Sequence, residues 1–265
     1  MSILDATGDE RAATPKKESA FTLLGIALAG MLCWVLTPVL YQSITGRPPV
    51  ATQPATSPVE FSPRDLGVVG ILMTVSGIAV LVAGNLLYRQ CPFDRLGLTL
   101  TRLRSDGIRR GLLASLIIVP AMYGVMFLTE QMFRLVHYAH PQEHDLLHAM
   151  ELDGSLFTRI SLIISAIVLA PVFEEFLFRG MLQSSIELYL ESMGVVQRSV
   201  LRWMAITVTS LLFAAIHMQF WMMPPIFFLS LCLGYAYART RNLWVTMIVH
   251  ALFNASSVVF FLLSR

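Results

Sequence analysis

Apolar runs alternate with short polar connections along most of this chain. The runs cover about residues 21–41, 66–88, 111–133, 160–182, 203–217, 225–238 and 243–263. A helix of about 20 apolar residues crosses the hydrocarbon core of a bilayer. The pattern therefore predicts an all-α fold, a polytopic membrane helix bundle with about seven transmembrane helices.

The composition agrees with this pattern. Of the 265 residues, 55% are hydrophobic and 14% are charged, and the mean hydropathy is +0.67, whereas soluble proteins carry about 25% charged residues. These values exclude a disordered chain, a collagen-like repeat and a disulfide-stapled secreted module. The net charge of +2 gives no indication of a nucleic-acid partner.

The distribution of basic residues predicts the orientation of the chain. If the seven runs alternate in direction, 14 Lys and Arg residues lie on the side of the amino terminus and 5 on the other side. Connections rich in Lys and Arg stay in the cytoplasm. We therefore expect a multi-pass protein of the cell membrane (plasma or inner membrane) with a cytoplasmic amino terminus and an extracytoplasmic carboxyl terminus.

Three charged residues interrupt the apolar run at 160–182. Glu174, Glu175 and Arg179 follow Pro171, and an Arg or Asp at the centre of a membrane helix costs about 2.5 to 3.5 kcal/mol on insertion scales. Such side chains must face protein or water. Glu175 and Arg179 are four residues apart and share a helix face, whereas Glu174 points about 100° away. The spacing makes Glu175 the partner of Arg179 and leaves Glu174 available for chemistry.

Two later runs also carry polar side chains. His217 follows Phe213 by four residues in the fifth run, and His250 precedes Asn254 by four residues in the seventh. A carboxylate with an imidazole can hold and deprotonate a water molecule, and an imidazole with an amide can donate hydrogen bonds to a developing oxyanion. A cluster of Glu174 with these residues would suit hydrolysis of an amide bond.

These motifs resemble those of the CAAX prenyl endopeptidase and bacteriocin-processing (CPBP) intramembrane proteases, also called the Abi family. The family's motifs are Glu-Glu-x-x-x-Arg, Phe-x-x-x-His and His-x-x-x-Asn, each on a different helix. Here they stand in that order as Glu174-Glu175 to Arg179, Phe213 to His217, and His250 to Asn254. The resemblance covers about residues 160–263.

The resemblance implies an intramembrane endopeptidase that hydrolyses lipidated or membrane-associated peptides and proteins, including prenylated substrates of the CAAX type. It assigns water activation to Glu174 and His217, and oxyanion stabilisation to His250 and Asn254. Glu175 and Arg179 would hold the site together.

The apolar pattern and the resemblance together suggest a division of the chain. Residues 1–19 would form a cytoplasmic tail, and residues 20–155 the amino-terminal helices and loops. Residues 156–265 would form the catalytic transmembrane region. The expected partners are the substrate and membrane lipid, without nucleic acid.

A catalytic zinc ion is an alternative to metal-free catalysis. Glu174, His217 and His250 could supply three ligands and leave a fourth position for water, as in a metalloendopeptidase. We prefer water activated by glutamate without a required cofactor, because the chain lacks the His-Glu-x-x-His helix motif that arranges ligands and base in advance.

Two other functions are compatible with the sequence. The polar cluster could serve packing or partner binding in a non-proteolytic membrane scaffold or a bacteriocin-immunity-type protein. It could also act as a relay in an ion- or proton-coupled transporter, although the chain shows no internal repeat of the kind many transporters have.

The depth of His217 is an open point. If the seventh helix enters the membrane at residue 243, His250 lies about 10 Å from the start of that helix, whereas His217 lies about 21 Å from the start of its own. The motifs meet only if the fifth helix begins outside the bilayer, tilts strongly, or ends at a turn within residues 218–225.

Overall fold

The described part of the protein is helical. A computed structural model of the chain describes residues 4–46, 62–88, 93–139, 145–194 and 197–263, and none of these residues lies in a strand. Seven helices in this part are long and apolar enough to cross a membrane. The predicted all-α membrane bundle is therefore confirmed, and the protein is a multi-pass membrane protein.

We number the helices in chain order. They are α1 (Leu4–Thr45), α2 (Pro63–Tyr88), α3 (Phe93–Leu96), α4 (Leu100–Leu135), α5 (Asp145–Leu152), α6 (Leu156–Ser192), α7 (Arg198–Ile216), α8 (Met223–Thr240) and α9 (Leu243–Leu263). Helix α1 begins within the segment that the sequence suggested as a polar tail. Residues 47–61, between α1 and α2, lie outside the described residues.

Glycines allow α2 to approach α6 closely. A Cβ atom at Gly67 would lie 2.1 Å from Oγ of Ser161, and a Cβ atom at Gly77 would lie 2.5 Å from Cε2 of Phe173. In a bilayer, helices associate mainly through packing of this kind, because lipid tails are as apolar as the helix surfaces. Helix α2 therefore packs against the part of α6 that contains Ser161 and Phe173, just before Glu174 and Glu175.

Helix α6 is widened on both sides of the two glutamates. The segments Ser165–Leu169 and Phe176–Gln183 have π-helical hydrogen bonding, and Ala170–Glu175 between them is α-helical with Pro171 in its first turn. Pro171 has no backbone N–H and so removes one hydrogen bond from the helix at this point. Such widened turns bend a helix and leave carbonyl groups for other partners.

The main hydrophobic core surrounds this widened helix. Its fully buried aromatic side chains belong to α6, α7 and α8: Phe176, Phe178, Phe213 and Tyr237. Leu96 of α3 is also fully buried in this cluster, and the ring of Phe93 lies 6.3 Å from that of Phe176. The short helix α3 therefore covers the core at one end.

The depth of the three motifs is consistent with a single site. Gly180 of α6 lies against Leu243 at the start of α9. From that level, Glu175 is about 8 Å back along α6 and His250 about 10 Å along α9, at 1.5 Å per residue. Helix α7 ends at Ile216, and the left-handed conformation of Met218 (φ 53°) turns the chain away. At this end of α7 the ring of His217 lies 4.8 Å from that of Phe213, which is 6.0 Å from the ring of His250.

The close approach of α2 to α6 predicts that replacing a glycine at this contact costs more stability than replacing a glycine elsewhere. We expect Gly77→Ala to destabilise the fold by roughly 1 to 3 kcal/mol, because the added Cβ overlaps the Phe173 ring. Gly124→Ala in α4 is the matched control, because a Cβ atom there meets nothing within 4 Å. Thermal unfolding in detergent, followed by tryptophan fluorescence, measures both, and equal shifts would contradict this packing.

Candidate active site

The site is built on a fully buried ion pair. Oε1 of Glu175 accepts a hydrogen bond from Nη1 of Arg179 at 3.1 Å, and both residues are 0% exposed. The other terminal nitrogen of Arg179, Nη2, donates to the carbonyl oxygen of Ser230 at 3.1 Å and to its hydroxyl at 2.7 Å. Arg179 therefore joins α6 to α8.

The ring of Phe213 connects this ion pair to both histidines. Cζ of Arg179 lies 4.8 Å from the ring centroid, a cation–π contact. The ring centroids of His217 and His250 lie 4.8 and 6.0 Å from that of Phe213. A cation above an aromatic face is attracted to it, more strongly where water is excluded. Phe213 thus packs at the centre of the site as well as filling the core.

His250 lies between the two glutamates. Its Nδ1 is 3.0 Å from Oε1 of Glu175, and its Nε2 is 3.8 Å from Oε2 of Glu174. An ionised carboxylate only accepts hydrogen bonds, so Nδ1 carries the hydrogen toward Glu175. In the neutral ring Nε2 is then an acceptor that faces Glu174. Sequence spacing paired Glu175 with Arg179 and did not reveal that His250 shares the same oxygen.

Glu174 has an oxygen without a partner. Its side chain is 16% exposed, and the buried Oε2 makes no hydrogen bond within the described residues. A buried carboxylate oxygen without a hydrogen bond is rare, because its desolvation is not compensated. Such an atom is available to bind a water molecule and take its proton.

His217 is oriented by its own helix. It caps the end of α7, and its Nδ1 lies 2.7 Å from the carbonyl oxygen of Phe213. A carbonyl oxygen only accepts, so Nδ1–H donates and Nε2 keeps a lone pair. The half-buried ring therefore presents a basic nitrogen beside Phe213.

Asn254 makes a contact that the sequence could not predict. Its Nδ2 donates to the carbonyl oxygen of Ala166 at 2.8 Å, within the first widened segment of α6. The bond holds α9 against α6 one turn beyond His250. Because the amide group has two N–H hydrogens, one remains for another acceptor.

The arrangement does not assemble the zinc ligands that the sequence suggested as an alternative. Across residues 4–46, 62–88, 93–139, 145–194 and 197–263, no three His, Cys, Asp or Glu side chains are grouped so that they could hold a metal ion. Glu174, His217 and His250 are therefore not grouped as three zinc ligands in this arrangement.

The polar residues Glu175 and Arg179 of α6 continue in a further buried residue that the sequence motifs did not include. Gln183 follows Arg179 by one turn and is fully buried. Its Nε2 donates to Oε1 of Glu187 at 3.2 Å and to the carbonyl oxygen of Gly234 at 3.3 Å. Glu187 in turn accepts from Nη2 of Arg241. The four-residue spacing of these side chains was visible in the sequence, but their partners on α8 were not.

Comparison with known proteins identifies the carboxyl-terminal region. Residues 156–256 match the family model of type II CAAX prenyl endopeptidase Rce1-like proteins. This Rce1-like region is less than half of the chain, but it contains all three motifs. No curated protein and no solved structure matches the chain.

The match confirms the resemblance inferred from the motifs and supports CAAX-type protease activity in general terms. It does not identify the catalytic residues or the substrate. Those assignments therefore depend on the geometry of the Rce1-like region.

The buried ion pair predicts a large difference in stability between the variants Arg179→Ala and Glu174→Gln. Arg179→Ala should lower the free energy of unfolding by about 3 to 5 kcal/mol, because Glu175 would remain buried without its counter-charge. Glu174→Gln should unfold close to the wild-type temperature, since Oε2 of Glu174 has no hydrogen bond to lose.

The control for the arginine change is Arg159→Ala, at an exposed position on the same helix. Thermal unfolding in detergent compares the three variants. If Arg179→Ala were no less stable than Arg159→Ala, the ion pair would not hold the site together.

Proposed function

We propose that this protein is an intramembrane endopeptidase that hydrolyses peptide bonds of membrane-associated or prenylated substrates, with Glu174 as the general base. The observation that carries the proposal is the unbonded Oε2 of Glu174 beside Nε2 of His250. The match of the surrounding region to Rce1-like proteins supports it. The proposal places the site in the half of the membrane that faces the cytoplasm.

Glu174 and His217 would activate the water. Oε2 of Glu174 takes a proton as the water oxygen attacks the carbonyl carbon of the scissile bond. Nε2 of His217 accepts a hydrogen bond from the same water and fixes its direction. The C–N bond then breaks, and the proton passes to the leaving amine. No covalent intermediate with the enzyme forms, because attack by water produces the carboxylate directly.

His250 and Asn254 would stabilise the oxyanion. Because Nδ1–H of His250 is engaged by Glu175, Nε2 donates to an oxyanion only when the ring carries a second proton. The Glu175 carboxylate stabilises that positive charge. Asn254 keeps one N–H after its bond to Ala166. Donors fixed in advance in a site without bulk water stabilise developing charge effectively.

The buried pair of Glu175 and Arg179 would act as the support of the site. Arg179 compensates the charge of Glu175, and Glu175 sets the orientation of His250. No cofactor is required for these steps, and none of them passes through a metal ion.

The substrate class follows from the position of the site. Glu174 lies within α6 about 9 Å from the level of Leu243, near one face of the bilayer. The side of the protein that is rich in Lys and Arg faces the cytoplasm under the positive-inside rule. We therefore expect substrates that a prenyl group or an apolar segment holds at the cytoplasmic surface.

Replacing Glu174 tests the chemistry. We expect Glu174→Gln to lower kcat/KM for cleavage of a prenylated peptide by at least about 100-fold, because the amide cannot act as a base. Purified protein in lipid nanodiscs and mass spectrometry of the peptide products provide the measurement.

Glu191→Gln is the matched control, because Glu191 is an exposed glutamate on the same helix that pairs with Lys16. Cleavage that persists in Glu174→Gln at the rate of this control would refute the assignment. Absence of cleavage by the folded wild-type protein across prenylated and unmodified peptides would favour a non-proteolytic scaffold.

Substitutions of His217 can distinguish the roles of its two ring nitrogens. His217→Asn keeps a donor for the Phe213 carbonyl but removes the Nε2 lone pair, so we expect a normal unfolding temperature and a kcat roughly 100-fold lower. His217→Gln, whose amide reaches the Nε2 position, is the comparison. Normal turnover by His217→Asn would show that Nε2 takes no part in the reaction.

A further inference from the structure

Four exposed arginines lie at one edge of the bundle. Arg102, Arg104 and Arg109 belong to the first turns of α4, and Arg239 lies in the last turn of α8. Within the described part of the chain, none of these four side chains makes an ion pair or a hydrogen bond. We call these four residues the arginine patch.

Backbone contacts hold the two parts of the patch together. Nδ2 of Asn242 donates to the carbonyl oxygen of Arg102 at 3.2 Å. Nε1 of Trp244 donates to the carbonyl oxygen of Thr99, also at 3.2 Å. Asn242 follows Arg239 by three residues. The start of α4 is therefore attached to the connection between α8 and α9.

The patch lies at the level of the lipid headgroups. Trp244 is the second residue of the membrane-spanning helix α9, and tryptophans at such positions favour the boundary between hydrocarbon and water. Arg102 accepts the bond from Asn242, Arg104 and Arg109 follow Arg102 by two and seven residues on α4, and Arg239 precedes Asn242 by three. Their guanidinium groups can therefore reach the phosphate layer of the bilayer.

Two acidic residues near the patch, in the part of the chain that the structure describes, already have basic partners. Asp106 pairs with Arg110 at 3.3 Å, and Glu187 pairs with Arg241. The positive charge of the patch is therefore not compensated by these groups. Charge on this side of the protein also serves orientation in the membrane, for which Lys would be equally suitable.

The chemistry of arginine favours phosphate. Of the 19 Lys and Arg residues in the chain, only Lys16 and Lys17 are lysines. The planar guanidinium group can donate two parallel hydrogen bonds to phosphate oxygens, which an ammonium group cannot do. We propose that the arginine patch binds the phosphate groups of anionic phospholipids beside the α8–α9 connection.

The proposal can be tested on the full chain without a substrate, so its outcome is independent of the protease activity. Native mass spectrometry of the protein in neutral detergent counts bound phosphatidylglycerol and phosphatidylcholine. We expect preferential binding of phosphatidylglycerol by the wild type and roughly five-fold weaker binding for each patch arginine replaced. Arg102→Gln with Arg109→Gln is the first variant, and Arg104→Gln with Arg239→Gln is the second.

The matched control is Arg64→Gln with Arg159→Gln, two exposed arginines at the other membrane side. The control should bind phosphatidylglycerol as the wild type does. Equal binding of the two lipids by the wild type, or undiminished binding by both patch variants, would overturn the proposal. Competition by inorganic phosphate at the same concentration as the lipid would show a free-phosphate site and would overturn the lipid assignment.

Discussion

The buried ion pair between Glu175 and Arg179 is the constraint on which the rest of the site depends. Two charges inside a membrane protein are stable only when each is paired and hydrogen-bonded. Arg179 meets this requirement through Glu175, the Ser230 carbonyl and hydroxyl, and the face of Phe213. These contacts fix α6 against α7 and α8. Glu175 then has an oxygen left to hold His250 of α9, so four helices converge because one charge pair must be satisfied.

Two departures from regular helix geometry place the remaining groups. The widened first segment of α6 contains the Ala166 carbonyl that accepts from Asn254. The left-handed residue Met218 directly follows His217, which caps α7 and lies beside Phe213. Both features carry a cost in local hydrogen bonding or backbone strain, which is the kind of cost that functional sites retain.

The membrane bundle and the pairing of Glu175 with Arg179 could be predicted from the sequence, because hydropathy and four-residue spacing are local properties. It could not show that His250 shares an oxygen of Glu175, since that contact joins residues 75 positions apart. The bond from Asn254 to Ala166 depends on a widened turn that the pattern of apolar residues does not encode. Gln183 and Glu187 continue the four-residue spacing on α6, but the sequence could not show their partners, which are Gly234 within α8 and Arg241 just after it.

The central claim is that Glu174 makes this cluster hydrolytic. The most direct measurement is quantitative terminal proteomics on membranes from cells that make the wild-type protein or an equally abundant Glu174→Gln variant. The account predicts new peptide termini, in proteins at the membrane surface, that occur only with the wild type. Identical termini in both samples, with both proteins folded and equally abundant, would contradict it.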